Sequence, residues 1–329
     1  ESLENRLLRT IAQAHLPNAE GAMGRNRRDY IHVRFQYRAH LHAQLAAQSH
    51  DQESLSRFVS ALEYAASLQQ SDGSYDLQIP RYLAGHRAST GDLASGTAFF
   101  LASAGVGMLL LDDSAWFKSE PSVADYRRRL DVLRPGLERA TKWLSTQVAT
   151  LQAYDRQAPN RLLINALAFL SLGRLSDDQS WQMTGRDFFN SALEQQHELG
   201  YFIEGGGYDS SYNGVALAIA LRLLQLGLVS ENAADPLVRS AQWQLTRVSS
   251  DGEIRTEGNA RVHGSGESFM GKPKSVDVAH TVEAFFYWPL SFWLMNLILI
   301  PLTRSASSTV ANNASFLAYA LSFFWSWAA

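Results

Sequence analysis

Three stretches of this chain follow one outline: an amphipathic helical segment ends in a polar, Gly-rich loop, and the loop feeds a small-residue, apolar helix. Ala61 to Asp76 (ALEYAASLQQSDGSYD), Ser191 to Gly207 (SALEQQHELGYFIEGGG) and Ser240 to Ile254 (SAQWQLTRVSSDGEI) share it. Such a recurrence marks supersecondary units that bury their apolar faces against one another, so the chain reads as stacked helical hairpins. Strand signals are scarce and helical periodicity recurs from Leu3 onward, which makes the class all-α.

The hairpins alternate in character. Ser54 to Gln69 places Phe58, Leu62, Ala65 and Leu68 at helical spacing and predicts an outer, amphipathic helix. Asp92 to Leu111 (DLASGTAFFLASAGVGMLLL) is apolar nearly all round and rich in Gly, Ala and Ser, which predicts an inner helix packed on every side. The pattern continues with Tyr126 to Val148 outer, Asn160 to Leu172 inner, Trp181 to Gln195 outer, Ser210 to Leu226 inner, Pro236 to Val248 outer and Val276 onward inner. Glu4 to Ala14 and Tyr30 to Gln48 supply a further pair. A run of outer-then-inner pairs predicts an α/α toroid forming one domain over residues 1–329. The outer-to-inner loops, Gln70 to Gly91 and Ser249 to Ser275, are far longer than the usual helix connection of about 2 to 8 residues, which favours a functional rim.

With 46% hydrophobic residues the chain buries a large core, and a net charge of −3 provides no field for a phosphate backbone, so nucleic acid is excluded as a partner. The basic run Arg25 to Arg28 is too short to change that. The absence of cysteine rules out disulfides and thiolate metal sites. From Ala284 to Leu302 the chain carries no charge and meets the length criterion for a membrane span, so segment 284–329 is expected either to form a core helix or to touch a membrane.

Four rim segments carry candidate chemistry. Glu204 to Asn213 (EGGGYDSSYN) offers Glu204, Tyr208, Asp209, Tyr212 and Asn213, with the two tyrosines sharing a face if the helix starts by Asp209. Glu257 to His280 offers Asn259, Arg261, His263, Glu267 and His280. Asp72 to Asp92 offers Tyr75, Arg81, Tyr82, His86 and Arg87, a set suited to an anionic, ring-shaped ligand because Arg pairs with carboxylates and Tyr packs on sugar faces. Asn160 and Arg161 open a further inner helix, Asn160 as its N-cap. No metal-ligand spacing such as H-E-x-x-H occurs, and neither metal nor other cofactor is expected.

The hairpins and the Tyr, His, Asn and Arg at their rim resemble the α/α-toroid polysaccharide lyases, which cleave uronic-acid polymers by β-elimination. The fragment SDGSYDLQIPRYLAGH is similar in outline to their DGS-aromatic segment, although Leu77 or Gln78 stands where those lyases commonly place a histidine. The resemblance implies an acidic polysaccharide substrate and a periplasmic or secreted setting. It also implies Tyr208 or Tyr212 as proton donor or acceptor, His263 or His280 as the second acid/base group, and Arg261 with Asn259 facing the developing enolate. LQQSDGSYD is also similar to the Gln-aromatic repeats of the squalene-cyclase and prenyltransferase toroids, which implies a lipid substrate instead. Two further readings stand beside these: glycoside hydrolysis by a carboxylate pair from Glu204, Asp209, Glu267 and Asp277, and glycan binding without catalysis.

Overall fold

The computed structural model describes residues 3–80, 88–249, 254–260, 268–269, 272–273, 280–281 and 283–284. Beyond Ala284, which is buried, the apolar C-terminal segment lies outside the described residues, as do Arg81, Tyr82, His86, Arg87, Arg261, His263, Glu267 and Asp277. Among the described residues the regular structure is helical apart from two short antiparallel strand pairs, so the chain is all-α.

The helices are α1 (Leu3–Gln13), α2 (His40–Ser49), α3 (Gln52–Ser67), α4 (Thr90–Asp113), α5 (Ala115–Ser119), α6 (Ala124–Ser145), α7 (Val148–Asp155), α8 (Pro159–Leu175), α9 (Gln179–Leu193), α10 (Ser210–Gln225) and α11 (Ala234–Thr246). Their order, amphipathic then buried, is that of the hairpins from which α/α toroids are built. Two short helices, α5 and α7, were not expected. Tyr30 to Gln48 is also not one helix: Ile31–His32 pairs with Leu77–Gln78, and Val33–Ala39 forms a 3-10 turn before α2. Side chains divert the backbone there, since Asn26 Oδ1 accepts the His32 N–H at 2.8 Å and His32 Nδ1 accepts the Arg34 N–H at 3.4 Å.

The described residues divide into two compact units. One is drawn from Glu1–Arg156 and Ile164–Phe189, the other from Gln157–Leu163 and Asn190–Ala329. In the first, α4 is the central element. It is long and apolar enough to cross a membrane, but 83% of its most apolar window is buried inside the protein, which makes it a core helix. Its small residues are explained by what approaches it: a Cβ at Gly107 would lie 2.4 Å from the Phe58 ring, and one at Gly105 would lie 2.1 Å from Ser171 Oγ. Asp51 caps α3 by accepting from Glu53 and Ser54 N–H, and Leu55, Phe58, Val59, Leu62 and Ala65 form its buried face. Fully burying a side chain such as Phe58 contributes about 1.5–3 kcal/mol.

The sequence repeat has a physical counterpart in each unit. In the first, Gln69 Nε2 donates to the carbonyls of Gly136 (2.8 Å) and Gly73 (3.4 Å), and its Oε1 accepts from Arg139 Nη2 (3.3 Å). In the second, Gln196 Nε2 donates to Pro236 (2.7 Å) and Gly200 (2.8 Å), and its Oε1 accepts from Arg239 Nη2 (3.3 Å). Each glutamine fastens a Gly-rich loop to the next amphipathic helix, α6 or α11. Gly73 (φ 96°) and Gly200 (φ 103°) let the loop press onto the Arg139 and Arg239 carbonyls, where a Cβ would sit 2.4 Å from the oxygen. The third copy pairs Val248 with Ile254, as Gln69 pairs with Tyr75 and Gln196 with Phe202.

Candidate active site

In the second unit the rim segments come together as a hydrogen-bonded network. Asp209 is the N-cap of α10, its carboxylate accepting the Tyr212 N–H at 2.9 Å. The helix thus begins at Ser210 and leaves Tyr208 outside it, so the two tyrosines do not share a helical face. The Tyr208 hydroxyl donates to the Glu257 carbonyl (3.1 Å), and its ring packs against Tyr201 and Trp243 beneath the Arg247 guanidinium, 4.9 Å away. Asn213 is buried: its Oδ1 accepts from the Phe202 amide and the Ser240 hydroxyl, and its Nδ2 donates to Gln244 Oε1. Asn259 is held as firmly, accepting the Ser210 N–H (3.1 Å) and donating to Ser210 Oγ (2.7 Å). Glu204 is buried in a tight turn paired with Gly207. His280 Nδ1 lies 2.7 Å from Ser211 Oγ, and Tyr212 is half-buried in the first turn of α10.

In the first unit Tyr75 is buried edge-on against Phe100, and burial pushes its phenol pKa well above the usual value. Asn160, which belongs to the second unit, does not cap α8. The helix opens at Pro159, whose missing N–H suits the first position, and Asn160 Oδ1 accepts the N–H of its neighbour Arg161 (2.9 Å).

A second cluster, which the sequence did not single out, surrounds the first turn of α4. Ser89 and Asp92 form a reciprocal capping box, Ser89 Oγ accepting the Asp92 N–H while Asp92 Oδ2 accepts from the Ser89 amide (3.1 Å) and hydroxyl (2.7 Å). The Tyr154 hydroxyl, on an exposed ring at the end of α7, donates to Asp92 Oδ1. Burial opposes the charge on Asp92, but the Tyr154 and Ser89 hydrogen bonds together with His32 outweigh it and hold the carboxyl below its usual pKa. The next residue, Asp155, is fully buried; Ser95 donates to its Oδ1 (3.3 Å) and Asn165 to its Oδ2 (3.0 Å), tying the end of α7 to α4 and α8.

His32 lies under this turn, so close to Gly96 that a Cβ there would meet its ring at 1.8 Å. Burial first, then Arg34, lower its pKa to about 4, with Asp92 acting in the opposite direction. The imidazole is therefore neutral, with Nδ1 as acceptor and the proton on Nε2. An unfolded imidazole takes its proton near pH 6.5 and the folded one only near pH 4. The unfolded state binds more protons across that window, and stability falls as pH drops through it, by up to about 3 kcal/mol for this group. Buried His42 is lowered in the same sense. Urea unfolding of the wild type and His32→Gln between pH 7 and pH 4 is expected to show a flatter pH dependence in the variant; equal slopes would refute the assignment.

A cavity beside α4, lined by Met108, Arg134, Leu137 and Leu172, holds about 30 Å³, room for a water and not for a sugar ring. No group of three or more His, Asp or Glu that could hold a metal occurs among the described residues.

No family model and no curated protein matches the chain. Solved structures similar to it include these two. One, from Salmonella enterica subsp. enterica serovar Paratyphi A str. ATCC 9150, is described as a possible member of the GH105 family; it aligns with a TM-score of 0.40 and 12% identity over 87% of this chain and 92% of that one. The other is a family 105 glycoside hydrolase from C. acetobutylicum ATCC 824, with a TM-score of 0.33 and 9% identity over 88% of this chain and 82% of that one. At these scores neither likeness bears on the chemistry of the site.

Proposed function

We propose that this chain is a carbohydrate-active enzyme, a hydrolase of acidic saccharides, built on hairpins that close into an α/α toroid. The observation that carries the reading is the Tyr154–Asp92 pair: an exposed phenol hydrogen-bonded to an ionised carboxylate. A hydroxyl beside a base is an activated nucleophile, and tyrosine serves that role in some hydrolases of anionic sugars. In the first step the Tyr154 oxygen bonds to the anomeric carbon and Asp92 takes the phenolic proton, while the glycosidic oxygen departs from the opposite face and takes a proton from solvent. In the second, water attacks the same carbon from that opposite face and gives a proton up to solvent, and the tyrosine oxygen leaves and recovers its proton from Asp92. Asp155 is a positioning residue that holds Tyr154 in place.

The same pair supports a second reading. A phenol and a carboxylate on one face could remove the C5 proton of a uronate and protonate the leaving oxygen, which is the lyase chemistry. One experiment separates the two. Purified protein is incubated with uronic-acid polymers and with oligosaccharides ending in an unsaturated uronate, while reducing ends and the ultraviolet absorbance of the conjugated uronate are followed. New reducing ends without a rise in absorbance are expected. A rise on polymers would replace hydrolysis by elimination, and no change on any saccharide would overturn both.

A further inference from the structure

The segment Gly24 to Arg38 carries five arginines, Arg25, Arg27, Arg28, Arg34 and Arg38, against one acidic residue, Asp29. It lies along α4 in register with one face of that helix. His32 meets Gly96, Arg34 and Tyr37 meet Phe99, and the His40 amide donates to Ser103 Oγ at 2.9 Å. With Asp92 these α4 positions are four, three and four residues apart, the spacing of a single stripe. Three of the guanidiniums sit over aromatic rings: Arg34 4.5 Å from the Phe99 centroid, Arg38 5.3 Å from Tyr37 and Arg25 5.9 Å from Tyr30. The rings support one another edge-on, Tyr30 against Phe35 at 5.0 Å and Tyr37 against Phe99 at 5.2 Å. They are half-buried, while Arg25, Arg27, Arg28 and Arg34 are exposed.

We propose that this strip is a binding subsite for an acidic saccharide chain, leading along α4 to Asp92 and Tyr154. Guanidiniums pair with uronate carboxylates in a planar fork that an ammonium does not offer. Fixed aromatic rings between them present apolar faces to the C–H side of a sugar. Stacking on the rings also holds the guanidiniums in place before the ligand arrives, which lowers the ordering cost of binding. Among the described residues the nearby acidic groups are Asp29, within the segment itself, and Asp92 on the first turn of α4, where Tyr154 and Ser89 already engage it. The inference deepens the functional reading above and rests on it for the place of the reaction, but its test reads binding and not turnover.

The test is calorimetric titration of the full chain with hexagalacturonate, with the neutral cellohexaose, and with a single-stranded oligonucleotide of equal charge. Hexagalacturonate is expected to bind, with an affinity that falls as salt rises, and the other two to bind at least about tenfold more weakly. Arg34→Gln is expected to weaken hexagalacturonate about tenfold, with Arg34→Lys recovering part of the loss because the charge returns without the planar fork. Arg25→Gln/Arg28→Gln changes only exposed side chains and gives a second reading that does not depend on packing; thermal melts accompany each variant. Undiminished affinity in both the Arg34→Gln and Arg25→Gln/Arg28→Gln proteins would overturn the subsite, as would equal binding of the neutral hexamer or the oligonucleotide. Binding without turnover of any saccharide would refute the catalytic reading and leave the subsite standing. Turnover with binding unaffected by the arginine variants would do the reverse.

Discussion

Alanine at Gly200 is expected to destabilise the protein by about 3 kcal/mol or more, because a left-handed backbone costs an L-residue about 1–2 kcal/mol and forced overpacking about 1–3 kcal/mol. Both apply here: φ is 103°, and the new methyl group would lie 2.4 Å from the Arg239 carbonyl oxygen, a backbone atom that cannot swing aside. At 329 residues, where unfolding carries about 0.7 kcal/mol/K of entropy, that corresponds to a drop in Tm of roughly 4 °C or more, measured by thermal denaturation followed at the helical circular dichroism signal. Gly73→Ala is expected to behave alike, since its Cβ would meet the Arg139 carbonyl at the same distance. Gly206→Ala separates the two causes. Its φ is 85° with nothing within 4 Å of a Cβ, so only the conformational part, about 1–2 kcal/mol, is expected. Equal losses at Gly200 and Gly206 would show that the close approach to Arg239 contributes nothing.

The largest effect on activity is expected at Tyr154. Removing its hydroxyl in Tyr154→Phe takes away the nucleophile and the proton that Asp92 holds in place, and kcat on the saccharide identified above should fall by about 10²–10⁴-fold. Because the ring is exposed and the lost hydroxyl faces a carboxylate at the surface of α4, the melting temperature should move by no more than a few degrees. Asp92→Asn is expected to lose activity on the same scale while also weakening the helix start, since Asp92 closes the capping box with Ser89. Activity within a factor of about three of wild type in Tyr154→Phe would refute the role given to the pair.

What the sequence made legible was whatever repeats at helical spacing. Phe58, Leu62 and Ala65 are buried on α3 as their period requires, and the all-round apolar stretch from Asp92 became α4. The boundaries of α6, α8, α9, α10 and α11 fall within a few residues of those read from the sequence. What escaped was structure set by single hydrogen bonds rather than by periodicity. The 3-10 turn after His32 depends on one imidazole and one asparagine side chain, and no hydrophobic pattern records it. The Tyr154–Asp92 contact is tertiary, joining residues 62 apart; only the S-x-x-D of Ser89 and Asp92 was visible, and it reads as a capping box. In the rim segments Glu204 to Asn213 and Glu257 to His280, several polar residues proved to serve the backbone. Asp209, Asn213 and Asn259 each accept a main-chain N–H, a use that residue type alone does not distinguish from ligand binding.

The glutamine fasteners set where the chain tolerates being cut. Gln69 and Gln196 each secure a loop by gripping carbonyls of a helix that comes later, 67 and 40 residues on. A hairpin of this kind is therefore not a self-contained module: excising α11 would release the Gln196 loop even though every residue of that loop remained. The third copy is different. Arg247 stands beside Val248, where the other copies have glutamine, and reaches back to the carbonyls of Arg255 and Glu257, both at 2.7 Å, within its own loop. That copy carries its own latch, so a duplicated or transplanted segment would stay closed if it ended there and would open if it ended one hairpin sooner.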